Sequence, residues 1–312
     1  MTVPASLRVP VRTLVPVMDI GGTHVTAALF DPAAQAVLDS ARQRRHRRPL
    51  DASASATDIV QRLVRCANDV AAPPDAAWGV ALPGPFDYEG GIGLYEGVGK
   101  FDALKGVDLR QAFLDAVRPA PAEVHFLNDA NAFAVGEWVS GAAAGHDRAL
   151  ALTLGTGVGS AFLDRGRIIE EGPAVPPEGR ADLLTFNGQP LEETVSRRAV
   201  LARYSAMTRR DDPRLDVHDV AQRARDGDIL AETVLSGTFR ALGEALRPWV
   251  NRFGATVVVV GGSMAGSWDL IARPLRTGLG GTYGPAVVHA RHGDDATLIG
   301  AGIHTIRQGR RP

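Results

Sequence analysis

Short apolar, largely β-branched runs recur along this chain, and three of them end in glycine. Residues 14–20 run into Gly21-Gly22, 150–154 into Gly155-Thr156-Gly157, and 257–260 into Gly261-Gly262. A continuous apolar run of this length, bounded by turn residues, reads as a buried strand. Residues 78–82, 124–127 and 286–289 read as strands in the same way. Between the runs the apolar spacing becomes that of amphipathic helices. Residues 57–71 carry Ile59, Leu63, Val64 and Ala67 on one stripe, and 108–117 and 130–139 repeat the spacing. The longest pattern, 229–253, has Leu230, Val234, Leu235, Leu242 and Leu246 on one face. Strands alternating with helices predict an α/β fold. The openings near 14–31 and 148–164 read as hairpins, and their recurrence predicts two similar halves rather than a short-period solenoid. Residues 72–75, 84–105, 172–190 and 209–214 read as loops.

Composition narrows the partners. At 312 residues, 45% hydrophobic, the chain has room for about two domains with real cores. A net charge of −1 gives no broad basic footprint, so nucleic acid is not an expected partner. The basic cluster at 42–48 reads as a solvated edge. The first residues hold Arg8, Arg12 and three prolines and no continuous apolar stretch, which does not fit a signal peptide. The longest uncharged runs are rich in glycine and shorter than the ~20 apolar residues of a membrane helix. The expectation is a soluble cytoplasmic protein with no membrane partner. The single cysteine, Cys66, excludes an intrachain disulfide and a multi-cysteine metal site. On its predicted helix it reads as a small core residue.

The glycine turns carry the first chemistry. In Asp19-Ile20-Gly21-Gly22-Thr23, a strand delivers a carboxylate, then two glycines whose amides can approach an anion, then a hydroxyl. The carboxylate cannot bind phosphate, but it can orient a hydrated Mg²⁺ that does. A plain hairpin turn accounts for Gly-Gly equally well. Gly155-Thr156-Gly157 has the same chemistry, and lies between two strands rather than opening a helix as a Rossmann turn does. Of 34 basic residues only Lys100 and Lys105 are lysines, and neither lies in a glycine turn. A Walker-type lysine is therefore excluded. Gly261-Gly262 leads toward a helix and could let a flat ring pack against backbone. Ligands of α/β folds bind beyond the carboxyl ends of strands, so three such turns reinforce one another.

Asn128-Asp129-Ala130-Asn131 follows a strand and opens a helix. Asp129 could cap that helix, an effect worth ~1 kcal/mol. Two amides beside one carboxylate exceed what a cap needs. A carboxylate so placed can instead take a hydroxyl proton as general base. Leu82-Pro83-Gly84-Pro85 follows another strand, and its prolines stiffen a loop that could wall a polar small-molecule site.

Taken in this order, these segments resemble the ROK family of sugar kinases, within the actin, hexokinase and Hsp70 ATPase superfamily. Asp19–Thr23, Leu82–Pro85, Leu127–Asn131, Leu154–Gly159 and Gly261-Gly262 are similar to that family's phosphate, Pro-Gly-Pro, catalytic, second phosphate and adenosine motifs, over about residues 14–302. The resemblance implies a duplicated, two-domain ribonuclease H-like (actin-like ATPase) fold, with the active-site cleft between domains that close over the sugar. It implies a small N-terminal domain, 1–127, a larger one, 128–296, and a C-terminal helix of about 297–312 packing back on the first. It also implies ATP-dependent phosphorylation of a hexose at a primary hydroxyl, O6, with Asp129 as general base. Gly84, Asn128 and Asp129 would meet the sugar. Gly21, Gly22, Thr23, Gly155, Thr156 and Gly157 would surround the phosphates, Gly261 and Gly262 the adenosine, and Asp19 would reach Mg²⁺ through water. A homodimer is implied as well.

The chain departs from the family between 172 and 196. Counting from Gly166 puts Glu178 at the family's Glu-x-Gly-His glutamate, and Ala181 where its histidine stands. The cysteines of the zinc loop are missing, so zinc is not expected, while Leu191-Glu192 and Ser196 resemble the motif's tail. Glu178 and Glu192 are carried over as sugar ligands, and the histidine's role is left empty. The segment Tyr95–Lys100 lacks the Pro-Asn of related glucokinases. These departures keep open another acceptor, an amino sugar of the kanosamine or glucosamine type, or mannose. The family also contains users of polyphosphate, but no extended basic groove is evident. A sugar-sensing regulator needs a helix-turn-helix module, and only about 13 residues precede the first strand.

Overall fold

Strand β1 (Val15–Ile20) turns back through Gly21-Gly22-Thr23 into β2 (His24–Asp31), antiparallel, with Ile20 opposite Val25 and Val15 opposite Phe30. The computed structural model that holds this hairpin describes residues 13–39, 45–210 and 212–310. The chain divides into two compact units. One takes in the chain up to Asp129 and from Ala301 onward, and the other is Ala130–Gly300.

In the first unit β3 (Ala36–Val37) and β4 (His46–Pro49) both pair with β2. Helix α1 (Ala56–Asn68) leads to β5 (Trp78–Leu82), a small pair β6 (Phe86–Asp87) and β7 (Ile92–Gly93), α2 (Leu109–Ala116) and β8 (Val124–Asn128). The sheet order is β3-β2-β1-β5-β8, with β1, β5 and β8 parallel. Side chains alternate across a strand. Met18, Ile20, Trp78, Val80 and Leu82 thus join one core with Ile59, Leu63, Cys66 and Ala67 of α1 and Phe113 of α2. Helix α1 starts where the Ser55 hydroxyl accepts the Asp58 N–H at 3.2 Å, a helix cap. Gly79 is on the other face of β5. A Cβ there would meet Ala301 O and Thr305 Oγ1 at 2.5 Å, which is how closely the terminal helix packs.

The second unit repeats the plan. Helix α3 (Asp129–Ser140) is followed by β9 (Arg148–Leu154), β10 (Val158–Asp164) and β11 (Arg167–Ile169). A helical layer comes next: β12 (Thr185–Phe186), β13 (Gln189–Pro190), α4 (Glu192–Val195), α5 (Arg197–Thr208), α6 (Val217–Arg225) and α7 (Ile229–Phe253). The chain continues through β14 (Val257–Gly261), α8 (Trp268–Gly278), β15 (Ala286–His289) and α9 (Asp295–Gln308), whose residues from Ala301 belong to the first unit. The sheet order is β11-β10-β9-β14-β15, with an antiparallel β9–β10 hairpin and β9, β14 and β15 parallel. Strand for strand this is the β3-β2-β1-β5-β8 order of the first unit, so the duplication read from two hairpin openings is present. Val234, Leu235, Leu242 and Leu246 of α7 and Leu275 of α8 pack against Leu150, Leu152, Val258 and Val260.

Some expectations need correction. The apolar spacing puts Leu230 on the buried face of α7, but it is 38% exposed. Ala231, one residue on, begins the buried stripe, and a step of one residue turns a helix by about 100°. The stretch 84–105 contains the β6–β7 pair, and 172–190 contains the β12–β13 pair, so neither is a plain loop. Cys66 is fully buried in the core, as its helix position predicted. Residues 1–12, and residues 42–44 of the basic cluster, lie outside the described residues. No helix among the described residues is long and apolar enough to cross a membrane.

Candidate active site

The parallel strands of the first unit deliver three segments to one sheet edge. Asp19 is opposite Ala81, Ala81 opposite Leu127, and Leu82 opposite Asn128. The Gly21–Thr23 turn, the Pro83-Gly84-Pro85 loop and Asn128-Asp129 therefore all emerge at the carboxyl ends of adjacent strands, where α/β folds bind ligands. Asp19 is half-buried on the face of β1 opposite Met18 and Ile20, and Asp129 is the first residue of α3.

The first glycine turn is tied from behind. Gly21 N–H donates to His24 O at 2.9 Å, Leu50 N–H to Thr23 O at 2.9 Å, and Ala52 N–H to Gly22 O at 3.3 Å. The Thr23 hydroxyl lies 3.1 Å from His24 Nδ1. A Cβ on Gly22 would meet nothing within 4 Å, and its φ lies outside the left-handed region. Neither backbone angle nor packing explains that glycine. What its missing side chain leaves is an uncovered backbone.

The second unit builds the same device. Gly155 N–H donates to Gly157 O at 3.0 Å. A Cβ on Gly155 would meet only Ser263 Oγ, at 3.5 Å, an ordinary contact. Thr156 is exposed at the tip. Glu192, at the start of α4, accepts Val158 N–H at 3.1 Å, and its Oε1 lies where a Cβ on Gly157 would go. Gly261 and Gly262 differ from Gly22. A Cβ on Gly261 would strike the Phe133 ring, and Gly262 has φ +85° against the Leu154 carbonyl. The fold itself requires both glycines, and they bring the end of β14 beside the β9 turn.

Glu178 does not join that turn. It lies in an exposed 3₁₀ turn, its side chain 69% exposed and 3.2 Å from Arg180. Asp182, at 2.6 Å, and then Glu178 raise the pKa of that guanidinium. Ala181 is fully buried, its N–H donating to Ser160 Oγ at 2.7 Å, while that hydroxyl donates to Gly179 O at 2.9 Å. Asn131 Nδ2 donates to Glu170 Oε1 at 2.8 Å.

Two tyrosines were missed by sequence reading. Tyr88 donates to Leu82 O at 3.3 Å and accepts from Asn128 Nδ2 at 3.2 Å. Tyr95, 1% exposed, donates to Pro83 O at 2.6 Å. Burial, then Tyr88, then the charge of Asp129 push the Tyr95 phenol above its usual range, so it stays a donor. The one available signal was two tyrosines in a stretch otherwise read as loop.

Among the described residues, no group of three or more His, Cys, Asp and Glu stands together to hold a metal ion. A single carboxylate such as Asp19 suits a cation held largely by water and phosphate oxygens.

The model of the ROK family matches residues 16–307. The chain belongs to the ROK family. Among relatives, a glucokinase of Thermotoga maritima is 25% identical over 272 residues, covering 78% of this chain and 84% of that protein. A glucokinase of Halalkalibacterium halodurans is 28% identical over 201 residues, covering 56% of this chain and 61% of that one. The ROK hexokinase structure from Thermus thermophilus superimposes with a TM-score of 0.71 at 24% identity, covering 95% of this chain and 99% of that one. A ROK family glucokinase from Streptomyces griseus, in complex with glucose and AMPPNP, gives 0.73 at 24% identity, covering 94% and 99%. The ROK kinase fold, a duplicated actin-like ATPase architecture, is thus that of this chain.

Proposed function

We propose that this ROK-family chain is an ATP-dependent sugar kinase that phosphorylates a hexose at its primary hydroxyl, O6, with Asp129 as general base. One observation carries the reading. Asp129 and Asn128 leave the sheet at the same edge as a glycine turn whose Gly22 is explained by neither conformation nor packing. An acid for a hydroxyl and an uncovered backbone for phosphate are the two halves of a phosphoryl transfer site.

In the proposed reaction the Asp129 carboxylate takes the O6 proton as O6 bonds to the γ-phosphorus. The bond from that phosphorus to the β,γ-bridging oxygen breaks, and ADP leaves. Amides and hydroxyls of Gly21–Thr23 and Gly155–Gly157 hold the phosphates, where fixed dipoles offset developing charge. Asp19 would orient the water of a Mg²⁺ arriving with the nucleotide, and that ion would supply further charge neutralisation. Gly84, Asn128 and Glu192 bind the sugar, and Gly261-Gly262 flank the nucleoside.

A second reading for the acceptor, an amino sugar or mannose, is favoured by Ala181. Counting from Gly166 puts Ala181 at the family's histidine, and Ala181 offers only a buried methyl group, which cannot hydrogen-bond a sugar. The test is ADP release over glucose, mannose, glucosamine and kanosamine with ATP. Asp129→Asn should lose about a hundred- to ten-thousandfold in kcat, the range that general-base catalysis supplies, with the fold intact by circular dichroism. Turnover within about tenfold of wild type, a barrier change near 1.4 kcal/mol, would remove Asp129 from that role.

A further inference from the structure

We infer that Tyr88 is a positioning residue that locks the Asn128 carboxamide and the Pro-Gly-Pro loop into one rigid acceptor edge. The inference rests on the sugar-kinase reading above. The Leu82 carbonyl can only accept, so the Tyr88 hydroxyl hydrogen goes to it, at 3.3 Å. A lone pair of the same oxygen takes the Asn128 Nδ2 hydrogen, at 3.2 Å. These two bonds assign the donor and acceptor roles, with the Nδ2 end of the carboxamide facing Tyr88. Gly84 lies under the same hydroxyl, since a Cβ there would stand 3.3 Å from it. One phenol oxygen thus joins the exit of β5 to the end of β8.

The ring behind that oxygen is braced. Phe86 packs on Tyr88 with centroids 5.4 Å apart, and on Phe126 of β8 at 5.2 Å. Tyr95 packs on Phe86 at 6.4 Å and clamps the next carbonyl of the loop, Pro83 O, at 2.6 Å. Held consecutive carbonyls and a braced ring leave the loop little freedom. A side chain aimed by a locked neighbour binds a ligand without first losing rotamer entropy. Tyr88 acts through Asn128.

The test uses the full chain and the best substrate among glucose, mannose and glucosamine. Tyr88→Phe deletes one oxygen and keeps the ring, so the fold survives, as an unchanged unfolding temperature will show. The sugar KM should rise about tenfold, the worth of one ordinary hydrogen bond, with the ATP KM unchanged. Calorimetric sugar affinity of Asn128→Ala and of the double variant then completes a cycle. Tyr88→Phe should cost nothing further once Asn128 is Ala. An equal further loss in that background, an unchanged sugar KM, or equal rises in both KM values overturns the inference and leaves the kinase reading standing. A wild-type chain that phosphorylates no sugar overturns both.

Discussion

The Glu192 carboxylate accepts the Val158 N–H at 3.1 Å, on the flank of the second glycine turn. A residue expected from the sequence at the sugar thus braces the segment proposed to hold phosphate. Gln in its place keeps an oxygen for the Val158 N–H, whereas Ala leaves that N–H without its partner. We expect Glu192→Ala to raise the KM of sugar and ATP together, each about tenfold, and Glu192→Gln to raise mainly that of the sugar, since a lost hydrogen bond is worth about a factor of ten. Steady-state kinetics with both substrates varied will separate the two variants.

Gly22 and Gly262 should respond oppositely to alanine. A methyl on Gly22 enters open space at an ordinary φ. Gly22→Ala should therefore keep or slightly raise stability, by about 0.4–1 kcal/mol, while weakening ATP binding. Gly262 has φ +85° and the Leu154 carbonyl against it, so Gly262→Ala should lose ~2 kcal/mol or more. Urea unfolding and ATP titration of the two variants check this. A Gly22→Ala protein that binds ATP like wild type would show that the turn does not meet the nucleotide.

What the sequence revealed and what it hid follow from the range of the interactions. Leu150–Leu154 and Val257–Val260 are apolar runs stopped by glycine, so strand and turn were readable within a few residues, and the duplication followed. The strand-to-helix turn at Asp129 was readable for the same reason. Helix α5 was not seen, because RRAVLARYSAMT mixes arginine and alanine without a clean stripe, and tertiary packing of Val200 and Tyr204 decides it. Tyr88 gains its role from Asn128, 40 residues on, and Glu137 from His292, 155 residues away. No local pattern encodes such pairs.

Cys66 should be inert. It is fully buried, its thiol faces the His46 carbonyl at 3.4 Å, and burial pushes its pKa from 9.0 to about 11. Thiol reagents at pH 8 should label it only when the first unit opens. The raised pKa favours the protonated fold. Its contribution is therefore fully present below pH 9.0 and is lost as pH rises toward about 11, because the unfolded chain ionises first. The stability difference between wild type and Cys66→Ala, followed from pH 8 to 11, should show that decline. Rapid labelling of the native protein at pH 8 would contradict the burial.

Loss of Glu137 should destabilise the second unit. It is fully buried in α3, and its carboxylate accepts the N–H groups of Ala142 at 2.7 Å, Arg291 at 3.0 Å and His292 at 2.8 Å. It therefore pins the end of α3 to the segment before α9, beside a second link from Ser140 Oγ to His292 Nε2 at 3.0 Å. Glu137→Ala removes the carboxylate from three part-buried N–H groups, and a hydrogen bond to a charged group is worth ~1.5–3 kcal/mol. The loss should reach ~3 kcal/mol or more by urea unfolding. Glu137→Gln keeps one oxygen but turns an NH₂ toward an N–H, so it should fall between Ala and wild type. The Ala142, Arg291 and His292 amides should exchange with solvent faster in Glu137→Ala. An unfolding midpoint that stays at the wild-type value would show that the carboxylate does not hold this junction.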